Sequence, residues 1–113
     1  MQLEIPLPPK ILSPNARSHW AAKSKAAKAY KSDCYYVALS KPFQPEVSGA
    51  IHIHVQWHPK TAHAFDEDNA IASLKHAFDG IAQAWRVNDS RFTISFEKMP
   101  PVKGGKVLIN AKL

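Results

Sequence analysis

The chain has a single cysteine, no apolar run approaching the length of a membrane span, and few acids, with nine Asp and Glu against fifteen Lys and Arg. Each scarcity excludes something. Cys34 cannot close an internal disulfide, so the fold is held without a covalent staple and a reducing compartment is expected. Its apolar and aromatic neighbours mark it as a packing residue rather than a nucleophile. A bilayer-spanning helix needs about 20 consecutive apolar residues; none occurs, and no membrane association is expected. Met1 to Lys10 carries Glu4 and several prolines where a secretory leader would have its apolar centre, which makes the cytoplasm the expected location. Repeats and low-complexity tracts are also lacking. What remains is one domain spanning residues 1–113, large enough for one core and too short for a separate binding module.

What is present is basic charge, unevenly spread. The net charge is +6, and eleven charged residues before Thr61 sum to +5 whereas the thirteen from there on sum to only +1. This segregation suits a surface that holds a phosphate backbone beside a pocket that holds cations.

Periodicity divides the chain into six elements. Gln2 to Leu7 reads as a short strand checked by Pro6, Pro8 and Pro9, and Lys10 to Arg17 as a loop around Pro14-Asn15. From Ser18 to about Leu39, Trp20, Ala27, Tyr30, Cys34 and Val37 fall on one side at helical spacing, with Trp20 expected in the core. Lys41-Pro42 to Gly49 is a connector. Ile51, Ile53, Val55 and Trp57 then alternate with His52, His54, Gln56 and His58, the clearest strand in the sequence. The loop from His58 to Phe65 delivers the chain to Asp66. From about Asp68 to Trp85, Ile71, Leu74, Phe78, Ile81 and Trp85 predict a second helix, with Asp68 or Asn69 available to cap it. Phe92 to Lys98 and Lys106 to Leu113 are two further strands, joined by a Pro- and Gly-containing loop, 99–105, suited to a long hairpin. Strand, helix, strand, helix, strand, strand predicts an α+β domain: a small mixed four-stranded sheet with two main helices packed on it.

The chemistry concentrates in Asp66-Glu67-Asp68-Asn69, in Lys75, and in Asp89 of Val87-Asn88-Asp89-Ser90. In an extended segment Asp66 and Asp68 leave the same face. Three carboxylates gathered at one spot would repel by about 3 kcal/mol per pair at ~5 Å and an effective dielectric of ~20. A divalent cation removes that penalty, and oxygen-only ligands suit Mg²⁺, with Mn²⁺ as the alternative. The plainer reading of Asp66 to Asn69 alone is an acidic surface turn at a helix start. At 100° per residue Asp68, Ala72, Lys75, Asp79 and Gln83 form one stripe, so Lys75 points the same way as Asp68. A lysine there can stabilise charge building on a phosphodiester, and Asp79 either supports Lys75 at i, i+4 or joins the ligands. His52, His54 and His58 share a strand face but lack a fourth ligand at a zinc-like spacing. Lys23, Lys25, Lys28 and Lys31 surround the first helix; with Lys10 and Arg17 they are the expected contacts to a phosphate backbone.

These pieces, in this order, resemble the RusA-like Holliday-junction resolvases common in phages and prophages. The resemblance rests on Ile5-Pro-Leu-Pro-Pro9, Leu12-Ser-Pro-Asn-Ala-Arg17 with His19-Trp20 and the lysine-rich helix, Asp66-Glu-Asp-Asn69, Lys75-His-Ala-Phe-Asp-Gly80 and Asn88-Asp89-Ser90. It implies that Asp66, Asp68 and Asp89 bind the metal and that Lys75 is catalytic. It also implies a homodimer cutting branched DNA such as four-way junctions with Mg²⁺. Asn88 departs from the family by standing where many members have the first Asp of a pair. The spacing from Asn69 to Lys75 is also about one helical turn longer than in the shortest members.

Overall fold

The structure, a computed structural model, describes residues 1–14, 16–17, 19–41, 43–45, 48–62 and 66–112. The Pro14-Asn15 turn at Asn15, the helix start at Ser18, parts of the connector after Lys41, the end of the loop to Phe65 and the last residue of the final strand lie outside the described residues.

The order is β1 (Gln2–Ile5), a 3₁₀ turn (Lys10–Leu12), α1 (Trp20–Leu39), β2 (Ile51–His58), α2 (Glu67–Ser73), α3 (Lys75–Trp85), a 3₁₀ turn (Asp89–Arg91), β3 (Phe92–Lys98) and β4 (Lys106–Lys112). The four strands make one mixed sheet in the order β1-β4-β2-β3. Only β2 and β3 are parallel, with Ile53 opposite Ile94 and Val55 opposite Phe96. Parallel neighbours need a crossover, and α2 and α3 supply it. The α+β class and the small mixed sheet read from periodicity are the observed ones.

The last two strands do not form the expected hairpin. β4 pairs antiparallel with β1 on one side and with β2 on the other, so β2 lies between β3 and β4. Residues 99–105 pass over the end of β2, where Met99 N donates to Trp57 O at 2.8 Å and Val102 N to Pro59 O at 3.0 Å. Both edges of β2 are filled in this way.

One face of the sheet is apolar and carries the helices. Leu3 and Ile5, Ile51, Ile53 and Val55, and Val107, Ile109 and Ala111 meet Tyr30, Cys34 and Ala38 of α1 and Ala77, Phe78, Ile81 and Trp85 of α3 in one core. The other face bears the intervening polar residues, joined across the strands. Asn110 Nδ2 donates to Gln56 Oε1 at 3.1 Å, and His54 spans Ser95 Oγ at 2.7 Å and Glu97 Oε1 at 2.9 Å. Tyr30 ties α1 to the end of β1, its hydroxyl donating to Pro6 O at 2.7 Å. Burial first, then the neighbouring Asp33 charge, pushes the Cys34 thiol up to about 12, although the Tyr30 hydrogen bond opposes this. The expected packing role of Cys34 matches its full burial.

Trp20 departs from expectation. It lies on the stripe that buries Ala27, Tyr30 and Cys34, yet it is 76% exposed. Along α1, partial burial starts at Lys23 and Ala26 and full burial at Ala27, so the first turn projects beyond the core. Periodicity reports which way a side chain faces; whether anything stands there depends on the length of the neighbouring elements.

The second helix is broken. Leu74 (φ −87°, ψ −1°) separates α2 from α3, with no Pro or Gly to announce it. Buried Ser73 turns its hydroxyl back to Ala70 O at 2.7 Å, a bond that competes with the helix ladder and bends it. Leu74 itself is fully buried. The single stripe from Asp68 to Gln83 is therefore interrupted, and an unbroken helical wheel does not relate Lys75 to Asp68.

Candidate functional site

Asp66 caps α2, a role expected of Asp68 or Asn69: its Oδ1 accepts from Asn69 N at 3.0 Å. Glu67 and Asp68 occupy the first turn, where carboxylates favour the helix dipole. Asp66 also lines a recess with Lys10, Pro8, Pro9, Trp57 and Ser73. Asp68 is exposed.

The return of the chain to α3 is built locally. Arg86 takes the left-handed conformation (φ 57°, ψ 43°), its N–H reaching Ala82 O and Gln83 O, while Val87 N donates to Ala82 O at 3.0 Å. This closes the helix and turns the backbone. Asn88 then caps the next turn, its Oδ1 accepting from Ser90 N at 2.9 Å, and Arg91 Nε anchors that turn to Gly49 O at 2.8 Å, just before β2. Asn88 thus has a local structural use.

Asp89 is delivered between two hollows. One, of about 240 Å³, is lined by Lys75 and Asp89 with Ile71, Phe78, Phe92 and Ile94. The other, about 290 Å³, is lined by Asp79, Asp89, Asn88, Gln83 and Lys31. The Asp79 and Asp89 carboxyls share this hollow. Burial first, then the neighbouring Asp89 carboxyl and its charge, raises the Asp79 pKa against the weaker pull of His76 and Lys31. Two carboxyls this close favour sharing a proton or holding a cation.

Lys31 arrives from α1 because Gly80 lets the two helices touch. A Cβ at Gly80 would collide with the Lys31 carbonyl oxygen and come within 3.2 Å of Tyr35 N. Lys31, read from sequence as a backbone-phosphate contact, lines the acidic hollow. Lys23 is half-buried, and Arg17, Lys25 and Lys28 are exposed.

Of the four residues singled out as catalytic, the fold brings Lys75 and Asp89 to one hollow, leaves Asp66 in the recess with Lys10, and leaves Asp68 at the exposed start of α2. Among the described residues no three His, Cys, Asp or Glu side chains form a group that could hold a metal ion. Asp79 and Asp89 offer oxygen donors alone, the donor type that Mg²⁺ takes. The Asp79 to Asp89 pairing and the approach of Lys31 were missed at the sequence level. The local signal for the latter was Gly80, a small residue directly after Asp79 on a helix. His52 is exposed, His54 is bonded to Ser95 and Glu97, and His58 Nδ1 lies 2.9 Å from Pro100 O.

No protein-family model matches the chain. A protein of Xylella fastidiosa (strain Temecula1), described only as uncharacterized, is 38% identical over 97 residues; the match takes in 80% of this chain and 61% of the relative's length. Among the described residues no helix is long and apolar enough to cross a membrane.

Proposed function

We propose that the chain is a Mg²⁺-dependent, structure-selective DNA endonuclease. It resolves Holliday junctions and other branched DNA by paired phosphodiester cleavage, as a homodimer in the cytoplasm of a bacterial host, encoded by a phage or prophage. The observation that carries this reading is that Lys75 and Asp89 line one hollow, which supplies a carboxylate able to ligate a cation and a lysine able to stabilise charge on a phosphate. Asp66, Asp68 and Asp89, which form no three-carboxylate group among the described residues, would have to close on Mg²⁺ or Mn²⁺ as it binds, with Asp79 beside Asp89. When bound, the ion would supply an activated water and charge neutralisation at the phosphate. Lys75 Nζ stabilises charge on a phosphate oxygen. The exposed Arg17, Lys25 and Lys28 hold backbone phosphates without reading bases. Two-fold symmetry presents two such sites to a two-fold junction.

The test is a synthetic four-way junction incubated with Mg²⁺ and wild-type, Asp68→Asn, Asp89→Asn or Lys75→Met protein. Each variant is expected to lose about 10²–10³ in cleavage rate, the loss typical of removing one preorganised electrostatic group. Equal cutting by all four proteins would eliminate the site.

A second reading is a nucleic-acid-binding protein of the same fold without catalysis. It is favoured by lysines already standing beside the carboxyls, Lys31 by Asp79 and Asp89 and Lys10 by Asp66, as in a structural charge cluster. It predicts junction binding that is indifferent to Mg²⁺ and no cleavage product at any metal concentration.

A further inference from the structure

The first two turns of α1 carry an aromatic side chain where none is needed for folding. Trp20 points within about 20° of the heading of Ala27, seven residues on, but it lies before the point at which the helix meets the core. An indole that is 76% exposed leaves a large apolar surface in water. It is also held in place: its ring stacks on His19, centroids 5.6 Å apart and planes 30° from parallel. His19 is fixed in turn as the cap of α1, its Nδ1 accepting from Ala21 N at 3.2 Å. The surroundings are basic. Exposed Arg17 precedes the pair, half-buried Lys23 and exposed Lys25 follow it, the first turn has no acid, and the first acid along α1 is Asp33.

A flat, preorganised ring on a projecting cationic helix end matches one kind of occupant. The apolar face takes the face of a base, and the cations take the phosphates on either side of it. A base inside a duplex has both faces covered by its neighbours; one at a strand exchange, a flap or a single-stranded stretch has a face free. We propose that Trp20 is a stacking platform for an unpaired base of branched DNA, by which the protein recognises the branch and not only the backbone. This rests on the reading of the chain as a protein that acts on branched DNA.

The experiment uses the whole chain with a four-way junction carrying 2-aminopurine at the crossover, beside a linear duplex of the same sequence. For wild type, 2-aminopurine fluorescence should change on binding the junction and not on binding the duplex. Trp20→Ala is expected to weaken junction binding about tenfold, to leave duplex binding within twofold, and to abolish the fluorescence change; Trp20→Phe should restore most of both. Because Trp20 contributes little to the core, Trp20→Ala should unfold at the wild-type temperature. Equal losses on junction and duplex, or no loss on either, overturn the proposal. So does conversion of a dimer to a monomer in sedimentation of Trp20→Ala, since the ring would then be covered by a second copy. If wild type binds no DNA, the functional reading fails together with the inference; if wild type cuts junctions and Trp20→Ala binds and cuts them equally, the inference alone fails.

Discussion

At the scale of single residues, Asp79 and Glu97 are perturbed in opposite directions for opposite reasons. Glu97 is lowered by the hydrogen bond from His54, with Gln56 assisting; what it contributes is present above the ordinary carboxylate range and fades as pH falls. Asp79 is raised, by burial and by the facing Asp89. A raised carboxyl favours the fold in its protonated form, so its contribution is complete below its ordinary value of 3.8 and is lost as pH climbs through the folded value. At neutral pH the ionised pair opposes folding, screened by the solvent that reaches it. Asp79→Asn is therefore expected to raise Tm at pH 7 by on the order of 2 °C, the shift that about half a kcal/mol produces in a domain of this size, and to change it little at pH 3. Melting curves at both pH values check this. A lower Tm at pH 7 would mean that Lys31 already compensates the charge. Asp89 and Lys75 were legible in the sequence as residue types in a telling order. The partnership of Asp79 with Asp89 was not, because it depends on a left-handed turn at Arg86, a residue type that does not announce one.

Among the elements, the contact of α1 with α3 decides where charge meets charge. Gly80 is the close point, and it is one place where helix propensity and packing disagree. Alanine favours a helix by about 1 kcal/mol over glycine, but its Cβ here has the Lys31 carbonyl in its way. Overpacking against backbone typically costs about 1–3 kcal/mol, since a carbonyl in a helix cannot swing aside as a side-chain tip can. Gly80→Ala should lower the urea midpoint as the Lys31 backbone is pushed away from α3. A gain in stability would show that the helices have room to spare. The strands were readable from alternation, and β2 most of all. The break at Leu74 was not, because Ser73 is an unremarkable helix residue until burial leaves its hydroxyl only the backbone to bond. The misplaced hairpin has the same origin: seven loop residues with Pro and Gly fit a turn between neighbours, and they fit equally a path across the end of a third strand.

Over the whole molecule, charge is segregated between the two halves of the chain. The acidic hollows sit at the α3 to β3 turn, while α1 carries exposed Lys25 and Lys28 away from the core. If these two lysines each hold a phosphate, replacing both by alanine should flatten the slope of log K against log salt by about 1.8, at ~0.9 per contact on duplex DNA. Cleavage per bound complex should be unaltered. Binding titrations at several salt concentrations measure the slope, and an unchanged value would move the backbone track to another face of the protein.

The sequence by itself determined the alternation of β2, the amphipathic helices, the burial of Cys34 and the inventory of charged groups, because each follows from spacing along the chain. Only the tertiary structure decided which of those groups meet. Pairing β2 with both β3 and β4, closing α1 onto Gly80 and folding the chain back after Arg86 set Asp89 beside Lys75 and Asp79, left Asp66 with Lys10, and left Trp20 in water. Those outcomes depend on contacts between residues far apart in sequence, and local propensity carries no information about them.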